Sequence, residues 1–139
     1  MPFVSKSAGS GAEGNHDLSV DVWLSNGTTV EAHREGNNGP VTLSITIVEF
    51  NPAKAKVYSG VWGMKGMQDD TVMVGADRSR SFLAFYHWQT SSSSTPRDRT
   101  VRGEIDVDGN LVFRRVGNDG DVDGHWWVCL LYTSDAADE

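Results

Sequence analysis

The feature that most constrains this chain is a two-residue alternation of apolar and polar side chains. It is clearest at residues 41–47, which read VTLSITI, and it recurs at residues 20–25, which read VDVWLS. Successive side chains of a β-strand point to opposite faces of a sheet, so this alternation predicts strands with one face in a core and the other in water. No stretch combines helical spacing with capping residues at both ends, and no helix longer than a turn or two is predicted.

Turn-forming residues separate the alternating stretches. Asn26-Gly27 predicts a tight type I′ hairpin, because both residues tolerate positive φ, and Asp108-Gly109 predicts a second hairpin. The predicted strands cover residues 19–26, 28–35, 41–50, 55–62, 71–75, 81–90, 99–107, 110–117 and 125–128. Short links favour antiparallel neighbours. The predicted fold is all-β, an antiparallel meander of about eight to nine strands that forms either a small β-barrel or a β-sandwich.

Composition divides the chain into three parts. Residues 1–18 are rich in Gly, Ser and Ala and are predicted to be a flexible leader, since they offer little apolar surface to offset the entropy of ordering them. Residues 19–128 are predicted to form a single β domain, truncated at its C-terminus. Residues 129–139, which read CLLYTSDAADE, resemble the translation of a transposase sequencing adapter and are predicted not to be native.

Charge and cysteine content narrow the functional classes. The formal charge is −7, and removing the three acids of residues 129–139 (Asp135, Asp138 and Glu139) changes it to −4, which disfavours a nucleic-acid partner. No run of about 18 apolar residues predicts a membrane span, and no signal peptide is visible. The single cysteine, Cys129, lies in the adapter-like segment. Thiol usage therefore does not indicate a compartment, and the localisation stays open.

The most specific chemical motif is the loop at residues 119–124, which reads DGDVDG. Asp119, Asp121 and Asp123 alternate with other residues and a glycine stands sixth, as in the first half of a calcium loop, so Ca²⁺ is the one cofactor that the sequence suggests. The twelfth position, which should be Glu in a helical calcium hand, falls on Leu130 in the adapter-like segment. The alternative is a polar hairpin loop that uses Asp and Gly for their turn propensity.

Aromatic side chains form the second constellation, because five Trp residues are many for 139 residues. Trp126 and Trp127 are neighbours, so in a strand they point to opposite faces and cannot both fill one core. One of them is predicted to face outward or into a cavity. An exposed Trp or Tyr ring is suited to stacking on a sugar or another flat ligand. The predicted ligand contacts are Trp62, Tyr86, Trp88 and Trp126, and the three carboxylates of the Asp-rich loop are predicted to bind either calcium or the hydroxyl groups of the ligand.

The sequence contains no recognisable motif of catalytic residues. The four histidines show no zinc-binding spacing and no nucleophile elbow is present. The leading hypothesis is a non-enzymatic β binding module for a carbohydrate or other small amphipathic ligand. The alternative is a structural subunit of a homo-oligomer or particle, in which further copies of the chain cover the outward aromatics. A third hypothesis is a small β-barrel enzyme with an acid–base pair such as His87 with Asp69 or Asp70.

Overall fold

The computed structural model describes residues 1–8, 19–36, 39–89 and 96–132. Ten antiparallel β-strands lie in these ranges, and the prediction of an all-β fold is confirmed. The strands are β1 (Pro2–Ala8), β2 (Asp21–Leu24), β3 (Val30–His33), β4 (Val41–Ile47), β5 (Ala55–Lys65), β6 (Asp69–Val72), β7 (Ser81–Gln89), β8 (Arg102–Ile105), β9 (Leu111–Arg114) and β10 (Asp121–Leu131). Within the same ranges the helical structure is one turn, α1 (Pro96–Arg99), and no helix is long and apolar enough to cross a membrane.

The strands pair into four small sheets whose order is not that of a meander. The central sheet is β5-β10-β7, a second three-stranded sheet is β6-β9-β8, and two further pairs are β1-β4 and β2-β3. A meander pairs each strand with its neighbour in sequence, whereas β10 lies between β5 and β7, and β9 lies between β6 and β8. The predicted meander is therefore wrong. The hydrogen-bonded strands of the described ranges do not close into a barrel.

Both faces of the central sheet are covered, which creates two hydrophobic clusters. The first, core 1, includes Phe113 and Trp126, and the second, core 2, includes Trp127 and Cys129. Trp126 and Trp127 point to opposite faces of β10, as the alternation predicts, but both are buried, at 6% and 4% exposure. Neither ring faces outward, because a second layer of chain packs on each face. Trp127 lines a small cleft of about 220 Å³ together with Trp23 and His125, which agrees with the expected alternative of a ring that faces a cavity.

The N-terminal segment departs from the prediction of a flexible leader at residues 2–8. These residues form β1, which pairs with β4 from Pro2 opposite Ile47 to Ala8 opposite Val41. The backbone N–H of Val4 also donates to the hydroxyl of Tyr86 at 2.9 Å. The side chains of β1 do not alternate between apolar and polar. The strand forms because its backbone pairs with β4, so the composition of residues 2–8 does not reveal it. Residues 9–18 of the predicted leader lie outside the described residues.

The β2–β3 hairpin is confirmed at Asn26-Gly27, but its turn differs from the predicted one. The loop spans residues 25–29 and Gly27 does not have a positive φ, so it is not a two-residue type I′ turn. The side-chain oxygen Oδ1 of Asn26 accepts hydrogen bonds from the backbone N–H groups of Thr28 and Thr29, both at 2.9 Å. Asn26 therefore shapes the loop through its side chain rather than through a positive φ.

The β8–β9 hairpin is confirmed at Asp108-Gly109. Gly109 has a φ of 80°, and a Cβ atom at this position would lie 2.3 Å from the carbonyl oxygen of Ala76. Glycine is therefore required both for the turn and for the close approach of the neighbouring chain. The backbone N–H of Ala76 donates to the carbonyl of Gly109 at 2.8 Å, which ties the hairpin to the segment after β6.

The first residues of the adapter-like segment belong to β10. Cys129 is fully buried in core 2, and the strand continues to Leu131, whose backbone N–H donates to the carbonyl of Arg80 at 2.9 Å. The apolar CLL sequence continues the strand pattern of β10. The interpretation of residues 129–139 as an adapter translation stays a prediction.

Candidate functional site

A cleft of about 520 Å³ opens where β2 packs against the central sheet. Its lining combines three carboxylates, one lysine and one histidine with aromatic and small residues. We call it the acidic cleft, and its lining residues are Asp21, Val61, Trp62, Gly63, Lys65, Asp70, Trp88, Asp123, Gly124 and His125. A second cleft of about 490 Å³ lies beside Met1 and Tyr132 and is lined mainly by apolar side chains.

Strand register places one row of residues across the acidic cleft. Asp123 on β10 is opposite Gly63 on β5 and Trp88 on β7, and paired residues share one face of a sheet. A Cβ atom at Gly63 would lie only 2.3 Å from Oδ1 of Asp123. The missing side chain of Gly63 therefore leaves the space that the Asp123 carboxylate occupies, while Trp88 lies on the other neighbour of β10.

Asp70 adds a second carboxylate from β6. Its Oδ2 accepts a hydrogen bond from the backbone N–H of Gly63 at 3.1 Å. The preceding residue, Asp69, is exposed, since strand alternation turns the two adjacent acids to different sides. Asp123 and Lys65 make no hydrogen bond or ion pair within residues 1–8, 19–36, 39–89 and 96–132. Both of these charged groups can therefore meet a ligand that enters the cleft.

Asp21 and His125 form the most closely bonded pair in the acidic cleft. Oδ2 of Asp21 lies 2.6 Å from Nδ1 of His125, and Oδ1 of Asp21 accepts the backbone N–H of His125 at 3.2 Å. Asp21 is 1% exposed, and this burial raises the pKa of its carboxyl group while the hydrogen bond from His125 partly opposes the rise. The imidazole stacks on Trp23 with ring centroids 4.8 Å apart and planes inclined by 9°.

The three carboxylates of the predicted calcium loop do not converge. Asp121 and Asp123 belong to the extended strand β10, where residues two apart are separated by about 6.6 Å, and the loop does not fold back on itself. The carbonyls of Asp119 and Gly120 accept hydrogen bonds from the guanidinium of Arg115 at 3.0 and 2.6 Å. The described part of the chain contains no group of three or more side chains that could hold a metal ion.

The four aromatic residues predicted as ligand contacts have different surroundings. Trp62 and Trp88 line the acidic cleft, although Trp62 is only 4% exposed and stacks on Phe113. Trp126 is buried in core 1, and its Nε1 donates to a backbone carbonyl at 3.2 Å. The hydroxyl of Tyr86 bonds the backbone of β1, and its burial raises the pKa of Tyr86. Trp88 is the partly exposed ring of this set that lines the cleft, and it packs edge-to-face against the imidazole of His33 with ring centroids 4.3 Å apart.

His87 lies on the opposite face of the central sheet from the acidic cleft and is not bonded to Asp69 or Asp70. Its Nε2 lies 3.0 Å from the carbonyl oxygen of Arg99, and because a carbonyl only accepts, Nε2 carries the proton. Burial lowers the pKa of His87 to about 4. The acid–base pair predicted from the sequence is therefore not assembled, whereas Asp21 and His125 form a pair that the sequence analysis missed.

The low pKa of His87 makes stability dependent on pH. In the unfolded chain the pKa is about 6.5, so stability is fully present above this pH and is lost as the pH falls through 6.5 toward 4. We expect the free energy of unfolding, measured in urea, to be about 2 kcal/mol lower at about pH 4.5 than at pH 7 because of this group. His87→Gln should remove that part of the pH dependence, and His33→Gln, at an exposed site, should not. Identical pH dependence in wild type and His87→Gln would contradict the assignment.

Asp21 and His125 are 104 positions apart, so no local spacing could reveal their contact. The only available signal is the acid at the centre of Val20-Asp21-Val22. The alternation suggested that Asp21 faces water, but all three of these residues are buried, because β2 lies against the central sheet.

Comparison with known proteins adds nothing to this geometry. No family model, curated protein or solved structure matches the chain.

Proposed function

We propose that this protein binds a carbohydrate or another small amphipathic, hydroxyl-bearing ligand in the acidic cleft. The observation that carries the proposal is that two groups line one cleft: the carboxylate of Asp123, which has no hydrogen-bond or ion-pair partner among the described residues and occupies the space over Gly63, and the partly exposed indole of Trp88. A carboxylate accepts hydrogen bonds from hydroxyl groups, and an indole packs against the C–H face of a sugar ring.

The charge of the acidic cleft supports a neutral or cationic ligand. Asp21, Asp70 and Asp123 line it together with Lys65, so carboxylates outnumber the lysine. This excess disfavours phosphorylated or other anionic ligands and agrees with the acidic balance of the whole chain. The volume of about 520 Å³ lies in the range of small-molecule sites, at about 300–1,000 Å³.

A glycan array, followed by titration of tryptophan fluorescence with the soluble sugars that score on it, tests the proposal. We expect Trp88→Ala to weaken binding about tenfold or more, because stacking on the ring is lost. Tyr58→Ala is the matched control, since Tyr58 is exposed and does not line the acidic cleft. Asp123→Asn should also weaken binding, whereas Asp108→Asn, in the β8–β9 loop, should not. No sugar bound on the array and no fluorescence response would overturn the proposal.

A further inference from the structure

The Asp21–His125 pair has the geometry of an acid–base site rather than of a simple surface ion pair. Both carboxylate oxygens of Asp21 contact His125, since Oδ1 accepts its backbone N–H and Oδ2 lies 2.6 Å from its Nδ1. A carboxylate at Nδ1 holds the proton there and leaves the lone pair on Nε2. In this tautomer a neutral imidazole can accept a proton at Nε2.

The imidazole ring of His125 is fixed in place while Nε2 remains available. The ring stacks on Trp23, with centroids 4.8 Å apart, and lies 6.3 Å from the ring of Trp127. The side chain is 27% exposed and lines the acidic cleft. Nε2 has no hydrogen-bond partner in the part of the chain that the structure describes. The position of Nε2 is therefore fixed by the packing of the ring, while none of the described residues forms a hydrogen bond with it.

The neighbouring groups are consistent with hydrolytic chemistry. Lys65 lines the same cleft without an ion pair among the described residues, and a cation there can stabilise negative charge that develops on a carbonyl oxygen. The other charged groups of the cleft are Asp70 on β6 and Asp123 on β10, two residues before His125. Tyr86, opposite His125 on β7, uses its hydroxyl for the backbone of β1.

We infer that the Asp21–His125 pair is a general base that activates water toward an acyl ester in the acidic cleft. An O–H bond of water breaks as its proton passes to Nε2, and the water oxygen bonds to the carbonyl carbon. The bond from that carbon to the alcohol or phenol oxygen then breaks, and this oxygen leaves with the electron pair. The product acid ionises, and Nε2 returns its proton to the leaving oxygen or to solvent. Asp21 is a positioning residue, because it acts through His125.

Hydrolysis of p-nitrophenyl acetate by the full chain at about pH 7.5 tests this inference. We expect His125→Gln to lose about tenfold or more of the protein-dependent rate, within the range that a positioned general base contributes. His87→Gln is the matched control, because the same substitution falls on the opposite face of the sheet and outside the cleft. A wild-type rate no higher than that of folded His125→Gln, or an equal loss in His87→Gln, would overturn the inference.

The tautomer of His125 provides a second readout that does not depend on turnover. In ¹⁵N NMR at about pH 7.5 the wild-type ring should carry its proton on Nδ1. In Asp21→Asn the amide can donate to Nδ1, so the proton should move to Nε2 and the hydrolysis rate should fall about tenfold or more. If Asp21→Asn fails to fold, the wild-type tautomer decides, and an Nε2–H ring in the wild type would overturn the inference. The ester assay uses no sugar, so its failure and the failure of glycan binding are separate results.

Discussion

Replacing Phe113 by alanine is expected to lower the free energy of unfolding by about 3–5 kcal/mol, the largest effect that we predict for this protein. Phe113 is fully buried on β9 and stacks on Trp62, with ring centroids 4.3 Å apart and planes inclined by 8°. The rings of Phe113 and Phe85 also pack edge-to-face, with their centroids 5.3 Å apart. Removing the ring leaves a cavity between the central sheet and the β6-β9-β8 sheet.

Urea denaturation followed by tryptophan fluorescence measures this loss. Phe3→Ala is the matched control, because the same side chain is removed from β1 at a position that is 39% exposed, and the expected change is within about 1 kcal/mol. Equal losses of free energy in the two variants would contradict the burial of Phe113 in core 1.

Arg115→Met is expected to cost about 3 kcal/mol of stability, because it leaves several backbone carbonyls without their charged donor. The buried guanidinium of Arg115 donates to the carbonyls of Met67, Asp98, Asp119 and Gly120 at 2.6–3.0 Å. These four residues belong to three segments that approach one another around this side chain. Methionine keeps most of the apolar stem but provides no donor.

Two further substitutions test whether the guanidinium group itself is responsible. Arg115→Lys should recover only part of the loss, since an ammonium group cannot reproduce the planar fork that reaches four acceptors. Arg114→Met removes the neighbouring arginine, which is exposed and pairs with Glu104, and it should be close to neutral. Thermal or urea unfolding of the three variants measures the series. A loss in Arg114→Met equal to that in Arg115→Met would contradict the role of the buried group.

The assembly hypothesis stays a prediction. Apolar side chains such as Phe3, Ile45 and Ile47 are 37–47% exposed on the β1-β4 sheet, but nothing in the structure identifies what would cover them. Mass photometry at micromolar concentration separates the alternatives, because a strict monomer counts against an assembly subunit.

The candidate site could be predicted from the sequence only in part. The sequence predicts Trp88 as a contact because an aromatic in a strand can face a cleft, and Trp88 lines the acidic cleft with Asp123. The contact between Asp21 and His125 is not predictable from the sequence, since the two residues meet only when β2 packs on β10. The sequence predicts Asp123 as a calcium or hydroxyl ligand, but the extended backbone of β10 separates it from Asp119, and its carboxylate lies over Gly63.

Local sequence determined most of the strands, the positions of the two hairpins and the opposite directions of Trp126 and Trp127, because alternation and turn propensity act between residues that are close in the chain. It did not reveal β1, whose side chains do not alternate. Only the tertiary structure decided that β10 lies between β5 and β7, that both faces of this sheet are covered, and that an acid on β2 reaches His125. Which strands pair and which residues are buried depends on contacts between segments that are distant in the sequence. These contacts stabilise the fold only after the segments have come together.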